Sequence, residues 1–431
     1  MKKLHHAILA IVLGSAVPAP AVDLTMEGSV QAALIGNRQL TAARIEIEKA
    51  RARLLRSGLL PNPEFEFAGM SDFIANGDGE GAFTIGLSQK FPITTRLGIA
   101  REVRRVEVAR ALREIRNQER LLIAQVQGLY VRVQAAKLRE KATIDARQSS
   151  VSLVSLTEKR LASGQGSLAE SGLLRVEERK WWSASVNAKT ESETTLLELK
   201  TLLGLTAETP VTLTESLDSI VKALRRTPTR SEPIQRPDVE LALLEIDRAG
   251  AEIRLARAEV WEGIKLGLEY TYDHAVDEPT GLGTSQFLGI RVSIPVPVWD
   301  AKRGAAEEGR VSREQAQAKV RALELEVGNA IASAARKTAL YEEQLKNYRT
   351  TTEGVVTASE KELATGFEQG RVDLRDLLQI RAQSATLRVD AVTILENVAL
   401  AFIDWRTATG SHPVISRPYT EAKPQKSKKQ P

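Results

Sequence analysis

The chain has 431 residues, a formal net charge of +5, no cysteine and 4% aromatic residues. The missing cysteine excludes disulfides, thiolate metal sites, a nucleophilic thiol and an acylated cysteine as lipid anchor. The excess of basic over acidic residues is confined to the two ends, whereas elsewhere lysine and arginine are balanced by, and interleaved with, acids. Interleaving of this kind is typical of solvated helix faces, so we expect no nucleic-acid partner.

Residues 1–21 have the pattern of a secretory signal peptide. Lys2 and Lys3 precede an apolar run from Ala7 to Leu13, and Ala19-Pro20-Ala21 supplies a small-residue cleavage site. The apolar run is too short to span a bilayer as a helix. We therefore predict export of a mature chain that is either soluble or held in a membrane by its own fold.

Four segments further along the chain alternate apolar and polar residues with the period of a β-strand. A helical pattern from Glu27 to Arg56 ends before Pro61-Asn62-Pro63. The strands follow in two pairs, around residues 64–67 and 83–88 and around residues 264–272 and 287–294. Loops rich in glycine and acids are predicted inside the pairs, at residues 71–81 and 273–285.

The alternation fits strands that cross a membrane. Each apolar face continues for roughly the 9–11 residues of a tilted membrane strand, and the other face carries Lys, Glu and Arg, as a channel lumen does. The alternative is an ordinary half-buried sheet in water. Four strands are too few to close a barrel, and a free edge has no partner in lipid, so we predict that two, three or four copies assemble.

Long helices follow each strand pair. Apolar residues recur in steps of three and four from Val108 to Ala136, from Val320 to Ala334 and from Ala391 to Trp405, which predicts helices packed lengthwise on one another. A helix from about Arg101 to Ala162 would extend about 90 Å. Glycine-containing breaks at residues 163–167 and 366–373 predict that each helix reverses into a hairpin.

The module of two strands and a helical hairpin occurs twice. Each half of the chain contains a similar segment, Gly86-Leu87-Ser88-Gln89-Lys90-Phe91-Pro92-Ile93 in the first and Gly289-Ile290-Arg291-Val292-Ser293-Ile294-Pro295-Val296 in the second. We predict a first repeat at residues 22–203, a linker with one short helix at 204–237, a second repeat at 238–410 and a disordered basic tail at 411–431. The predicted fold class is mainly α with a membrane β-barrel contribution.

In their order and spacing these features resemble the TolC family of Gram-negative outer-membrane efflux proteins. The resemblance rests on Leu60-Pro61-Asn62-Pro63, on Ile294-Pro295-Val296-Pro297-Val298-Trp299-Asp300 and on Gly370-Arg371-Val372-Asp373-Leu374-Arg375-Asp376-Leu377-Leu378. Among subfamilies the chain looks most like the outer-membrane component of cobalt–zinc–cadmium efflux systems, the heavy-metal RND type.

The resemblance implies a homotrimer in outer-membrane lipid. Its twelve-stranded barrel, with four strands from each chain, would continue into a helical tunnel across the periplasm. It also implies two partners, a periplasmic adaptor of the membrane fusion protein type and an inner-membrane RND-type pump that supplies the energy.

A narrow periplasmic end lined by acids is a further implication of the resemblance. Asp376 falls on an acidic position of the family, Gln379 stands where its founding member has another acid, and Asp373 lies one helical turn before Asp376. The alternative is that the two carboxylates only complement a helix dipole. Arg375 is positioned in sequence to pair with either of them.

The hairpin tips are the predicted adaptor contacts. The residues concerned are Gly164, Gly166, Gly366, Gly370 and Arg371. A role of the glycines in the turns alone is compatible with this prediction.

Residues for a metal centre or for catalysis are few. Histidine in the mature chain is limited to His274 and His412, and methionine to Met26 and Met70. The sequence has no phosphate-binding loop and no plausible nucleophile–histidine pair. We therefore predict no enzyme, no cofactor and no metal site, and a passive exit duct for cargo that includes metal cations as candidates. The alternative is a periplasmic coiled-coil adaptor or scaffold without a membrane barrel.

Overall fold

The computed structural model describes residues 22–72, 80–163, 167–226, 236–277, 281–369 and 371–411. The predicted signal peptide and all but the first residue of the predicted tail lie outside these ranges. Within them the helices are α1 (Met26–Gly36), α2 (Arg38–Arg56), α3 (Arg96–Ala162), α4 (Leu168–Leu203), α5 (Leu217–Arg226), α6 (Pro237–Ala258), α7 (Arg303–Asn347), α8 (Glu353–Glu368) and α9 (Leu374–Thr409).

Six strands accompany these helices in the described ranges. They are β1 (Val22–Leu24), β2 (Glu64–Ser71), β3 (Gly81–Phe91), β4 (Val211–Leu213), β5 (Ile264–Asp277) and β6 (Gly281–Ser293). β1 and β4 form a small parallel pair, which ties the start of the described chain to the segment between the repeats. The other four strands form one antiparallel sheet in the order β2-β3-β5-β6.

The four-stranded sheet joins the two repeats at its centre. β3, the last strand of the first repeat, pairs along its whole length with β5, the first strand of the second. One row across the sheet is Phe65, Leu87, Leu268 and Ile290, and the next row, on the opposite face, is Glu66, Gly86, Glu269 and Gly289. The predicted alternation is therefore in register across all four strands.

The predicted loop at residues 273–285 is wrong. β5 continues to Asp277 and β6 begins at Gly281, and the two remain paired to these ends. The polar and glycine-rich composition that favours a loop is overridden because backbone hydrogen bonds to the neighbouring strand extend the ladder.

The helical prediction for residues 27–56 is correct in type but misses a break. Asn37 ends α1 and caps α2, since its Oδ1 accepts from Leu40 N at 2.9 Å. Its Nδ2 also donates to the carbonyl oxygen of Leu202 at the end of α4, at 3.0 Å. Asparagine satisfies orphan groups of three helix ends here, which makes the break locally stable.

The two long hairpins are confirmed. α3 has 67 residues, about 100 Å of helix, and reverses into α4. In the second repeat one turn of π-helix (Tyr348–Thr352) joins α7 to α8, which then reverses into α9. The main hydrophobic core lies where α1, α3, α4, α5 and α9 meet, around the fully buried Tyr130. The Tyr130 hydroxyl donates to Leu24 O in β1 at 2.9 Å.

The short helix predicted in the linker is α5. Its buried residues Leu217, Ile220, Val221 and Leu224 form one apolar stripe that packs into the main core. Within the described residues, none of the helices combines the length and the apolarity needed to cross a bilayer.

Candidate functional site

The four-stranded sheet has one apolar and one charged face. On the apolar face the side chains of Phe65 and Ile290 are 70% and 80% exposed. Large apolar residues that stay exposed in this number are typical of a surface that faces lipid or a partner. The segment after β6 continues the exposed apolar positions through Val296 and Val298 to Trp299.

The charged face carries ion pairs between strands, some of them between strands that are not neighbours. Lys265 on β5 donates from Nζ to Glu64 Oε2 and Glu66 Oε1 on β2, at 2.7 and 2.8 Å. Arg291 on β6 donates from Nε to Glu269 Oε2 on β5 at 2.9 Å. The sequence pattern predicts charges on this face but not the pairs of Lys265, because the β3–β5 pairing joins strands that are far apart in the chain.

The tip of the second hairpin lies between α8 and α9. Arg371 N donates to Gly366 O at 2.8 Å, which closes the turn. A Cβ atom on Gly366 would lie 2.6 Å from Val372 Cγ2, so glycine is needed for this close approach. Gly366 is buried whereas Arg371 is exposed. Gly366 therefore shapes the tip, and Arg371 is available on its surface.

The predicted aperture residues are together on the first turns of α9. Asp373 occupies the N-cap position, but its carboxylate makes no capping hydrogen bond. Asp373, Asp376 and Gln379 are all exposed. Among the described residues no ion pair joins Arg375 to either aspartate. The geometry leaves both carboxylates accessible to ions.

A small apolar group fixes the tip to the rest of the hairpins. Leu153 of α3, Leu174 of α4, Phe367 of α8 and Leu377 of α9 are buried against one another. Leu377 is one residue from Asp376, so the packing of this group determines where the carboxylate of Asp376 is presented.

The tip of the first hairpin begins α4 with a capping box. Ala169 N donates to Ser167 Oγ at 3.2 Å, and Ser167 N donates to Glu170 Oε2 at 3.4 Å. Arg175 and Glu158 pair between the two arms at 2.8 Å. The predicted contacts Gly164 and Gly166, like Gly370 in the second hairpin, lie outside the described residues.

A small cavity lies between the two hairpins. It has a volume of about 40 Å³ and is lined by residues of α3, α4, α8 and α9, including Trp181 and Arg388. Arg381 Nη1 donates to Ser149 Oγ beside it at 2.6 Å. A cavity of this size holds water rather than a cargo molecule. In the described part of the chain, no group of three or more His, Asp or Glu side chains is placed to hold a metal ion.

Several solved structures have the same fold. A membrane protein from Pseudomonas aeruginosa is 16% identical, with a TM-score of 0.71, 89% of this chain covered and 93% of that chain. The CmeC outer membrane channel of Campylobacter jejuni is 17% identical, with a TM-score of 0.70 and coverage of 89% and 85%. The MtrE outer membrane channel of Neisseria gonorrhoeae, in its open state, is 15% identical, with a TM-score of 0.69 and coverage of 89% and 88%.

Comparison of the sequence with curated proteins gives no match. The family model described as outer membrane efflux protein, in contrast, matches residues 29–205 and 232–411, which is most of the chain. The two matched segments correspond to the two copies of the strand-and-hairpin module. The chain therefore belongs to the outer membrane efflux protein family.

Proposed function

We propose that the protein is the outer-membrane exit duct of a tripartite efflux system, through which cargo passes passively to the cell exterior. The observation that carries this proposal is the four-stranded sheet with one exposed apolar face and an edge strand, β2 or β6, on each side. Backbone groups at an edge have no water to bond with in lipid. Only further copies of the chain complete such a sheet.

Three copies would give a twelve-stranded barrel, which is within the range of known outer-membrane barrels. The TolC resemblance supports this number rather than two or four. The helices would continue from the barrel as a tunnel into the periplasm, since α3 alone extends about 100 Å.

The partners in this proposal are a periplasmic adaptor and an inner-membrane RND-type pump. The adaptor would dock at the hairpin tips, where Arg371 is exposed and Gly366 shapes the turn. Gly164, Gly166 and Gly370 belong to the same proposed surface. The resemblance to the heavy-metal RND subfamily suggests heavy-metal cations as the cargo class.

The aperture of the duct would lie at the tip of the second hairpin. Three copies would bring Asp373 and Asp376 into a ring of six carboxylates, with Gln379 one turn further along α9. Fixed negative charges in a narrow passage concentrate cations and exclude anions. Exposure of both aspartates and the absence of a capping bond from Asp373 support this role.

The proposal is tested by fractionation, mass and conductance. We expect the full-length protein in the outer-membrane fraction, with detergent needed for its release, and a mass of three chains by native mass spectrometry. In planar lipid bilayers the purified protein should form ion-conducting channels. Release by osmotic shock without detergent, together with no conductance, would instead support the periplasmic adaptor or scaffold.

The cargo class is tested in cells. Deletion of the gene should lower resistance to cobalt, zinc or cadmium salts, and the full chain supplied on a plasmid should restore it. Unchanged metal resistance with increased sensitivity to drugs would refute the metal cargo while leaving the exit duct intact.

A further inference from the structure

Two ion pairs on the charged face of the sheet, both made by Lys265, cross an intervening strand. Lys265 is on β5 and its two acceptors Glu64 and Glu66 are on β2, so its side chain passes over β3. At the two positions of β3 that lie opposite Glu64 and Glu66, the residues are small, Ser88 and Gly86, whereas Lys90 of β3 lies opposite Lys265 and pairs with Glu262 at 2.8 Å. Because the small residues leave room, one ammonium group is shared by two carboxylates.

Glycines on this face allow the charged side chains to lie close to the surface of the sheet. Glu66 and Glu269 alternate with Gly86 and Gly289 in one row across the sheet. A Cβ atom on Gly289 would lie 3.2 Å from Glu269 Cγ and 3.3 Å from Glu269 Oε1, tighter than most real contacts. The Glu269 side chain therefore lies over the glycine instead of projecting from the sheet.

The charges of the group nearly cancel. The carboxylates of Glu64, Glu66 and Glu269 face the cations of Lys265 and Arg291, and Lys90 on the same face pairs with Glu262, so these ion pairs together leave one negative charge per chain. The group is partly open to water, since the Arg291 side chain is 58% exposed and that of Lys265 33%. Ser88 Oγ donates to Glu66 Oε1 at 3.2 Å and holds that carboxylate beside Lys265.

These side chains lie on the water side of the proposed barrel, because the opposite face of the same strands is the apolar one. We propose that they form a charge-balancing ring on the lumen wall, which keeps this level of the duct weakly selective between cations and anions, and that Lys265 sets the balance. The inference rests on the proposed function. Fixed charge on a pore wall attracts counter-ions, so a ring with a large net charge would select strongly between cations and anions.

Lys265 is the decisive residue because its single positive charge is shared by two carboxylates. Without it, two of the three carboxylates in each chain lose their cation, and the ring gains one negative charge per copy. Removal of the Glu66 charge changes the ring by the same amount in the opposite direction. The two variants should therefore shift the cation-to-anion permeability ratio in opposite directions. Loss of folding would not produce opposite shifts.

The test is the reversal potential of purified full-length channels in planar bilayers under a KCl gradient. We expect Lys265→Gln to raise the cation-to-anion permeability ratio about twofold or more and Glu66→Gln to lower it by a similar factor. Lys265→Arg keeps the charge and should match the wild type. Lys222→Gln makes the same charge change on the exposed side of α5 and should leave the ratio unchanged.

Two results would overturn the inference alone: a conducting Lys265→Gln channel with the wild-type ratio, or Lys265→Gln and Glu66→Gln ratios that shift in the same direction. If Lys265→Gln does not assemble, the shift in Glu66→Gln decides. A wild-type protein that forms no channel would refute the proposed function and this inference with it, so the two failures are distinguishable.

Discussion

The guanidinium group of Arg160 lies over the ring of Phe367, with Cζ 4.9 Å from the ring centroid. Arg160 is near the end of α3 and Phe367 near the end of α8, so the contact joins the ends of the two hairpins. Phe367 also belongs to the small buried group with Leu153, Leu174 and Leu377. A few side chains thus hold the two tips together at a large distance from the main core.

Phe367→Ala should loosen the tips without unfolding the protein. Truncation of a buried phenylalanine costs about 3–5 kcal/mol, and this contact is confined to the tips. Amide hydrogen exchange in residues 363–369 and 375–380 should accelerate at least about 100-fold, while the helix around Tyr130 keeps its protection. Arg160→Gln removes only a cation–π contact of about 0.5–1 kcal/mol and should accelerate exchange only about twofold to fivefold. Equal exchange in all three proteins would show that the contact does not hold the tips.

Replacement of both aperture carboxylates should change ion selectivity. In Asp373→Asn/Asp376→Asn channels we expect the cation-to-anion permeability ratio to fall about threefold or more and block by multivalent cations to weaken. Single-channel recording in planar bilayers measures both. Asp218→Asn removes one exposed carboxylate on α5, away from the tips, and serves as control. Unchanged selectivity and unchanged block would end the aperture proposal.

The π-helix should tolerate the loss of one residue. Glu353 N donates to Tyr348 O, five residues earlier, which is the pattern of one residue inserted into an α-helix. Deletion of Thr351 should therefore give a continuous α-helix and leave the tip packing intact. Deletion of Ala358 in α8 rotates the remainder of α8 by about 100° about the helix axis and should misplace Phe367. Trimer formation and protease resistance of the tips distinguish the variants; similar behaviour of the two deletions would contradict the prediction.

Two glycines of α4 should respond oppositely to alanine. Gly204 ends the helix with φ of 73°, and a Cβ atom there would lie 2.2 Å from Gly36 O. Gly172 is in the helix with nothing within 4 Å of an added Cβ atom. Gly204→Ala should lower the unfolding midpoint, at a cost of about 1–3 kcal/mol or more, whereas Gly172→Ala should stabilise by about 0.5–1 kcal/mol. Thermal unfolding followed by circular dichroism provides the comparison, and a stable Gly204→Ala would disprove the close contact.

Asp238 should contribute to stability in a pH-dependent manner. Burial raises the pKa of its carboxyl group, but the hydrogen bond from Arg236 and the charges of Arg236 and Arg120 lower it more, so that the net pKa is below the usual range. Arg120 and Arg236 also donate to the carbonyl oxygens of Thr407 and Ala408 at the end of α9, both at 2.8 Å. The cluster therefore joins the start of α6 to the end of α9.

Because the folded-state pKa is lower, ionised Asp238 stabilises the fold above the unfolded-state pKa of about 3.9, and this contribution is lost as the pH falls through the folded-state value. Asp238→Asn should be less stable by about 2–4 kcal/mol at neutral pH, and the difference from the wild type should shrink below about pH 4. Asp218→Asn, in an exposed pair with Arg349, should cost less than about 1 kcal/mol. A difference for Asp238→Asn that does not depend on pH would contradict the assigned pKa direction.

Much of the architecture could be predicted because the signals are periodic. The heptad steps around Val126 and Val133 predict the long packed helix, and the alternation around Leu268 and Ile290 predicts the strands. Glycine at the hairpin breaks predicts the reversals. The family assignment and the outer-membrane location are confirmed by the family match.

What the sequence did not predict depends on contacts between distant residues or on small backbone preferences. Lys265 and Glu64 are 201 positions apart, so their pairing follows only from the β3–β5 register. The π-turn at Tyr348 leaves no periodic signal, since one inserted residue is accommodated locally. The cluster of Arg120 and Asp238 likewise arises where α3 and the start of α6 meet the end of α9.

The two edges of the sheet are unlike, because β2 has 8 residues and β6 has 13. In the proposed ring each contact would join the β2 edge of one copy to the β6 edge of the next. Both edges of every copy must therefore be able to form backbone hydrogen bonds. A copy with a proline in β6 would still join a neighbour through β2 but would stop closure on its other side. A trimer with a single such copy would not close, even if its other two chains are normal. The fraction of inactive trimers would therefore exceed the fraction of variant chains in the cell.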